Sequence, residues 1–201
     1  MSRTDAELLA ATAAGDAEAF GCFYRHHEST VLAYAVHRCT NASDVADVVA
    51  DTFIGALRSA SRFSERDGDA VPWLLTIARR ALAHQRRSFL RRQRLGHRLS
   101  RLPTFSADEA DAVAAALDAA RLVPELSAAL RALAPKDREL LMLVHRDELT
   151  PTQAGRVVGM NANTARLRLS RTRARLREQL GDMQHDRPAT NTNPEVSHVQ
   201  P

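Results

Sequence analysis

The stretch TPTQAGRVVGMNANTARLRLSRTRARL, residues 150–176, decides the fold. Thr150-Pro151 starts a short helix carrying Ala154, Val157 and Val158. Gly159-Met160-Asn161 makes a tight turn, and a long helix follows from about Ala162 to Leu180. Val157, Met160, Ala165, Leu169 and Leu176 recur at helical spacing and can form an inward face. Ala154 is small, as needed where two helices approach closely. Arg166, Leu167, Ser170 and Arg171 point elsewhere, where a duplex could lie. This is the layout of a helix-turn-helix. A guanidinium can make a bidentate contact to guanine, and an apolar side chain can touch a thymine methyl. Arg168, Arg173, Arg175 and Arg177 suit phosphates or solvent. The competing reading is an ordinary helical hairpin with a charged outer face. The turn spacing and the acid-free second helix favour DNA binding.

Outward from this motif, charge is segregated. The 201-residue chain carries a net charge of only +4. Yet no acidic residue lies between Asp69 and Asp108, or between Glu148 and Glu178, and Arg is dense in both intervals. Arg-rich helix faces without interleaved Glu are unusual as plain solvated surfaces, because like charges at i,i+4 repel. Two cationic blocks point to two contacts with a polyanion.

Ala, Leu and Arg dominate, all strong helix formers, and few β-branched runs alternate with period two. The fold class expected is all-α, with two small helical domains. Asp5 can cap a first helix carrying Leu8, Leu9 and Ala13. Asp16 caps a second, with Phe20, Phe23, Tyr24, Val31, Leu32 and Ala35 on one apolar side. Ser43 or Asp44 caps a third, with Val45, Val48, Val49, Phe53, Ile54 and Leu57 at helical period. A polar loop around Asp67-Gly68 precedes a fourth, where Pro72 fits the first turn. In that helix Leu74, Ala78, Leu82, Gln85 and Phe89 share one face. Arg80, His84, Arg87, Arg91, Arg94 and Arg98 share another. Pro103, Thr104 and Ser106 interrupt it, and Asp108, Glu109, Asp111 and Asp118 mark an acidic linker. The second domain starts near Leu122, with Leu126, Leu130 and Leu133 as an apolar stripe and Pro135 opening the next helix. The boundaries expected are 5–99, a flexible linker 100–121, a second domain 122–181 and a disordered tail 182–201.

Two cysteines, Cys22 and Cys39, are too few for a disulfide framework. The acidic N-terminus lacks a signal-peptide core, and no stretch has the uncharged length of a membrane span. A cytoplasmic protein is expected. Cys22 and His26, with His27, His37 and Cys39 nearby, could bind zinc. The spacing lacks paired CxxC motifs, and Cys22 borders an apolar stripe, so no metal is expected. No glycine-rich phosphate loop, nucleophile elbow or paired catalytic carboxylates are present. Neither enzymatic activity, nor a cofactor, nor a small-molecule substrate is expected.

The residues carry a more specific resemblance. LRALAPKDRELLMLVHRDELT (130–150) and NTARLRLSRTRARL (163–176) resemble region four of bacterial sigma factors. GDAEAFGCFYRHH (15–27), DVADVVADTFIGAL (44–57) and VPWLLTIARRALAHQRR (71–87) resemble region two. The chain therefore resembles the sigma-70 family, in its small extracytoplasmic-function branch.

That resemblance implies a protein that binds core RNA polymerase, directs it to promoter DNA and helps melt the −10 region. By motif alignment Asn163, Thr164, Arg166, Leu167, Ser170 and Arg171 read the −35 element. Leu167 and Thr172 depart from the commoner small polar residue and Ala. Trp73, Arg79, Arg80, His84 and Arg87 lie on or near the surface that melts and holds the −10 element. There Arg80 replaces a common Asn and His84 a common Asp, which should raise phosphate affinity. Arg62 to Pro72 is the loop for a flipped base. Trp73 either stacks on a base or, the commoner role at a helix start, anchors the core. Asp47, Ala50 and Asp51 match the surface that docks on the beta-prime clamp, with Ala50 in place of the usual Gln. The beta flap, a monomeric place in the holoenzyme and an anti-sigma factor are the further partners implied. The acidic linker resembles the segment that threads the polymerase's nucleic-acid channel. The alternative is a helix-turn-helix operator-binding regulator without sigma activity. The region-two signatures, and the lack of a recognisable effector or receiver domain, argue against it.

Overall fold

The computed structural model describes residues 3–63, 69–99 and 124–185. The expected linker 100–121, the tail beyond residue 185 and the loop residues 64–68 lie outside the described residues. So do the side chains of Phe89, Arg91, Arg94 and Arg98. Residues 182–185, expected in the disordered tail, instead continue the last helix. Every regular element among the described residues is helical. In the first half these are α1 (Asp5–Ala13), α2 (Ala17–Val36), α3 (Ala42–Ser59), a 3-10 turn (Ala60–Arg62) and α4 (Ala70–Leu99). In the second half they are α5 (Pro124–Arg131), α6 (Pro135–His145), α7 (Pro151–Val158) and α8 (Ala162–His185). The all-α expectation agrees with this architecture.

The helix starts follow local hydrogen bonding and correct two expected caps. Thr4, not Asp5, caps α1: its Oγ1 accepts from the Glu7 N–H at 3.3 Å, and its own N–H donates to Glu7 Oε2 at 2.7 Å. Thr4 is extended and so reaches the third helical amide, whereas Asp5 already lies inside the helix. Asn41, not Ser43 or Asp44, caps α3 by accepting from the Asp44 N–H at 2.8 Å. Asp16 caps α2 as expected, accepting from the Ala19 N–H at 2.9 Å.

In the first half Leu8, Phe23, Val31, Phe53, Ala56 and Leu74 pack into one core, with α1 laid across α2. Ile54 and Leu57, expected in that core, are instead 45% and 48% exposed, and Leu32 is 47% exposed. Their period is helical, but the apolar stripe is wider than the surface available to bury it.

In the second half α6, α7 and α8 close around Leu140, Leu143, Val157, Ala165 and Leu169. Burying each of these leucine and valine side chains contributes about 1.5–3 kcal/mol. Gly155 lets α7 and α8 meet: a Cβ there would sit 2.9 Å from Ala165 Cβ and 3.2 Å from the Met160 carbonyl oxygen. Gly159 ends α7 in the left-handed region, φ 75° and ψ 42°, a conformation that favours glycine.

The halves are not merely strung together. Tyr34, Leu75 and Ala78 of the first half are fully buried in the same cluster as Leu140, Leu143 and Val157 of the second. Helix α7 packs along α4. The sequence reading, two domains joined only by a linker, contains no sign of this docking.

Candidate nucleic-acid interface

Helix α8 is positioned from its N-terminus. Asn161 Oδ1 accepts from the Thr164 N–H at 2.8 Å, and the Asn161 carbonyl accepts from the Ala165 N–H at 3.0 Å. Ala165, Leu169, Thr172 and Leu176 face the core. The opposite face exposes all six expected duplex readers: Asn163, Thr164, Arg166, Leu167, Ser170 and Arg171. Leu167 is 51% exposed. The Arg166 guanidinium donates to Thr152 Oγ1 at 3.2 Å, so α7 helps aim it. Arg168, expected at phosphate or solvent, pairs with Asp137 at 3.3 Å. Arg173 donates from Nε to His145 Nε2 at 3.2 Å.

On α4, Leu74, Ala78 and Leu82 point inward, and Gln85 Nε2 donates to Asp44 Oδ1 at 2.9 Å, fixing α4 against α3. Arg80, His84 and Arg87, at positions i, i+4 and i+7, are exposed on one face, while Arg79 is half-buried. Among the described residues none of Arg80, His84 and Arg87 has a hydrogen-bond or ion-pair partner. Trp73 is half-buried and lies edge-on to Phe63 and Phe23, with centroids 5.1 Å and 6.4 Å away. Its ring belongs to the first-half core.

A third surface lies on α3. Asp47, Ala50 and Asp51 are exposed, and Ile54 and Leu57 continue the same face one and two turns on. The acidic positions are legible as a motif. The apolar pair reads as core in the sequence, and only its exposure marks it as surface.

The grouping around Cys22 does not gather. Cys22 Sγ accepts from Arg25 at 3.2 Å, His27 Nε2 lies 3.0 Å from Asp5 Oδ1, and Cys39 is buried elsewhere. Among the described residues no three His, Cys, Asp or Glu side chains converge as metal ligands. Burial and then the nearby Asp44 carboxylate push the Cys39 thiol up to about 11, so it stays protonated at neutral pH.

Sequence reasoning missed the most elaborate polar site, between the halves. Arg38 Nη2 donates to Asp147 Oδ2 at 2.6 Å, and Arg38 Nε donates to Glu139 Oε1 at 3.3 Å. The guanidinium carbon lies 3.8 Å over the Tyr34 ring, and the Tyr34 hydroxyl donates to the same Glu139 oxygen at 3.1 Å. Burial is the largest influence on Arg38 and opposes its charge. Glu139, Tyr34 and Asp147 together outweigh it and hold the pKa above its ordinary value. For Tyr34, burial and then Glu139 raise the hydroxyl well above its usual range. No local signal could find this cluster, because Arg38 is 101 and 109 residues from its two carboxylates.

An open groove of about 690 Å³ is lined mainly by the second half, including Leu126, Leu130, Leu141, Leu176, Arg173 and Arg177, together with His37 of the first. No helix among the described residues is long and apolar enough to cross a membrane.

Comparison with known proteins adds the following. Residues 23–94 match the family described as Sigma-70 region 2, and residues 124–176 match that described as Sigma-70, region 4. The chain is 31% identical over 180 residues to the ECF RNA polymerase sigma factor BldN of Streptomyces coelicolor, covering 85% of this chain. It spans 64% of BldN's length, under two thirds. It is 31% identical over 168 residues to the ECF RNA polymerase sigma factor SigK of Mycobacterium tuberculosis, covering 81% of this chain and 86% of SigK. Among solved structures it resembles CnrH in complex with the cytosolic domain of CnrY. The TM-score is 0.59 and the identity 26%, over 89% of this chain and 97% of the matched one.

Proposed function

We propose, because this chain belongs to the sigma-70 family in its extracytoplasmic-function (ECF) branch, that it binds core RNA polymerase, directs it to specific promoters and helps melt their −10 region. The observation that carries this is the pairing, on one chain and in order, of region 2 at residues 23–94 and region 4 at residues 124–176. An operator-binding regulator needs only the second. The protein acts in the cytoplasm, catalyses nothing itself and works as one copy within the holoenzyme.

Each exposed surface takes one task. Asn163, Thr164, Arg166, Leu167, Ser170 and Arg171 read the −35 duplex. Arg80, His84 and Arg87, with Arg79 behind them, grip the backbone of the separated −10 strand beside the loop that ends at Pro72. Trp73 holds that loop to the core rather than stacking on a base, since Phe23 and Phe63 already pack against its ring. Opening DNA costs about 1.4 kcal/mol per base-pair step. A surface that prefers the open strand offsets that cost. The α3 face of Asp47, Ala50, Asp51, Ile54 and Leu57 docks on the beta-prime clamp, where the two exposed apolar side chains are covered. The leucine-lined groove, mainly of the second half, receives the beta flap. CnrH is seen with the cytosolic domain of CnrY, and a bound protein partner, the anti-sigma factor that the family implies, is proposed for this chain.

The test is transcription in vitro with core polymerase on genomic DNA, followed by mapping of start sites. Starts that depend on the chain and share a −35 and a −10 sequence are expected. Failure to associate with core enzyme removes the proposal.

A further inference from the structure

The duplex-facing side of α8 carries one residue whose chemistry differs from all its neighbours. Among the described residues the exposed large apolar side chains are Tyr24, Leu32, Ile54, Leu57 and Leu167, and Leu167 alone belongs to the second half. Side chains three and four positions apart on a helix are neighbours. For Leu167 these are Asn163 and Thr164 on one side and Ser170 and Arg171 on the other, all polar and all exposed. The buried positions Ala165, Leu169, Thr172 and Leu176 face the other way, into the core.

The place of Leu167 is well fixed. Ala165, two residues before it, is fully buried where Gly155 lets α7 and α8 cross. Arg166, one residue before it, donates to Thr152 Oγ1 of α7 at 3.2 Å. Leu167 therefore stands at a set position beside a guanidinium that is itself aimed.

A single exposed leucine is ordinary on a protein surface. This one is informative because of the polar side chains around it and the surface that it is proposed to meet. In the major groove every base pair offers hydrogen-bond donors or acceptors, but only thymine offers an apolar group, its C5 methyl. Leucine cannot hydrogen-bond. Against a guanine, adenine or cytosine edge it would strip water from a donor or acceptor and return no partner. Against a thymine methyl it removes apolar surface from water on both sides.

We infer that Leu167 selects a T·A pair in the −35 element by packing on the thymine C5 methyl, so that this chain reads one step of the element by apolar contact. The inference rests on the promoter-binding reading and deepens it by naming the base. A small polar side chain, commoner at this position in the family, can hydrogen-bond to more than one base. Leucine narrows that choice.

The test uses holoenzyme, core polymerase with the full chain, on a promoter mapped by its start site. Each thymine of the −35 element, on either strand, is replaced in turn by deoxyuridine, which removes the methyl and keeps the base pair. At one position holoenzyme should bind roughly fourfold more weakly in a competition assay, the effect of one buried methyl. Replacing that T·A pair by C·G should cost on the order of tenfold, because the cytosine amino group then meets the leucine unpaired. Leu167→Ser should bind the thymine and deoxyuridine promoters alike, whereas Leu167→Met, which keeps an apolar tip, should keep the difference. An element without a T·A pair, a scan in which no thymine is sensitive, or a sensitive thymine that stays sensitive in the Leu167→Ser chain overturns the assignment. Should Leu167→Ser fail to fold, Leu167→Asn takes its place with the same expected equality. If the unsubstituted chain supports no transcription with core polymerase, the promoter reading falls and takes this inference with it. If it transcribes and the deoxyuridine scan is silent, only the role of Leu167 falls.

Discussion

The two halves hold their exposed arginines in opposite ways. On α4, Arg80, His84 and Arg87 are exposed and lack a polar partner among the described residues. On α8, Arg166 is tied to Thr152, Arg168 to Asp137 and Arg173 to His145. Untied cations follow a phosphate backbone wherever a separating strand moves, and each contact adds affinity without reading sequence. A tied guanidinium such as that of Arg166 loses less conformational freedom on binding, which suits the proposed reading of base edges in one register. The cost differs too. Each half has a positive-φ glycine at a turn, Gly15 at φ 99° and Gly159 at φ 75°, but only Gly155 of the second half is pressed against backbone as well as a side chain, the Met160 carbonyl and Ala165 Cβ.

The sharpest way to break this contrast is charge reversal in each half. Arg166→Glu with Arg171→Glu should weaken binding to −35 duplex on the order of a hundredfold, at about 1–3 kcal/mol for each base-reading guanidinium removed. The same pair on α4, Arg80→Glu with Arg87→Glu, should leave duplex binding within a few-fold. It should also flatten the salt dependence of binding to single-stranded −10 DNA, by about 0.7 in slope for each phosphate no longer neutralised. Electrophoretic shifts across a salt series read both. Equal effects of the two pairs on both probes would erase the division of labour.

A smaller effect compares the glycines. Gly155→Ala forces a methyl against Ala165 Cβ and the Met160 carbonyl, neither of which can rotate away, and should cost about 1–3 kcal/mol in urea unfolding. Gly55→Ala meets Ile77 Cγ2 at 2.7 Å, a methyl on the β-carbon of a helical isoleucine, but no backbone atom. The helix propensity gained, about 1 kcal/mol, should offset part of the clash and keep the loss below that at Gly155. A larger loss at Gly55 would mean that the first half is packed as tightly as the second.

The caps give the smallest and most even comparison. Thr150 accepts from the Gln153 N–H at 3.3 Å in a reciprocal box, while Asn41 accepts from the Asp44 N–H at 2.8 Å. Thr150→Ala and Asn41→Ala should each cost about 1 kcal/mol by thermal unfolding. Thr150→Ala should also weaken −35 binding, because α7 carries Thr152 and through it Arg166.

What the sequence discloses follows the same division. The helix-turn-helix is legible because its punctuation is local: Thr150-Pro151, Gly159 and the acid-free run from Ala162 each constrain their own backbone. The exposed faces of α4 and α8 are legible because charge is excluded from a core. The caps at Thr4 and Asn41 are missed by one to three positions, because several neighbouring side chains could each accept the same amide. Ile54 and Leu57 pass for core, since periodicity shows that a stripe is apolar but not whether its cover is this chain or another. Arg38 gives no signal, because its meaning depends on carboxylates supplied by the other half.

The central claim is that the α4 face holds the melted strand while the α8 face reads intact duplex. Permanganate footprinting of a mapped promoter with core polymerase and this chain tests it most directly, because only unpaired thymines react. Reactive thymines are expected in the −10 region, vanishing with Arg80→Glu and Arg87→Glu while the −35 footprint persists. Reactive thymines that survive that substitution, or a −35 footprint that disappears along with them, would contradict it.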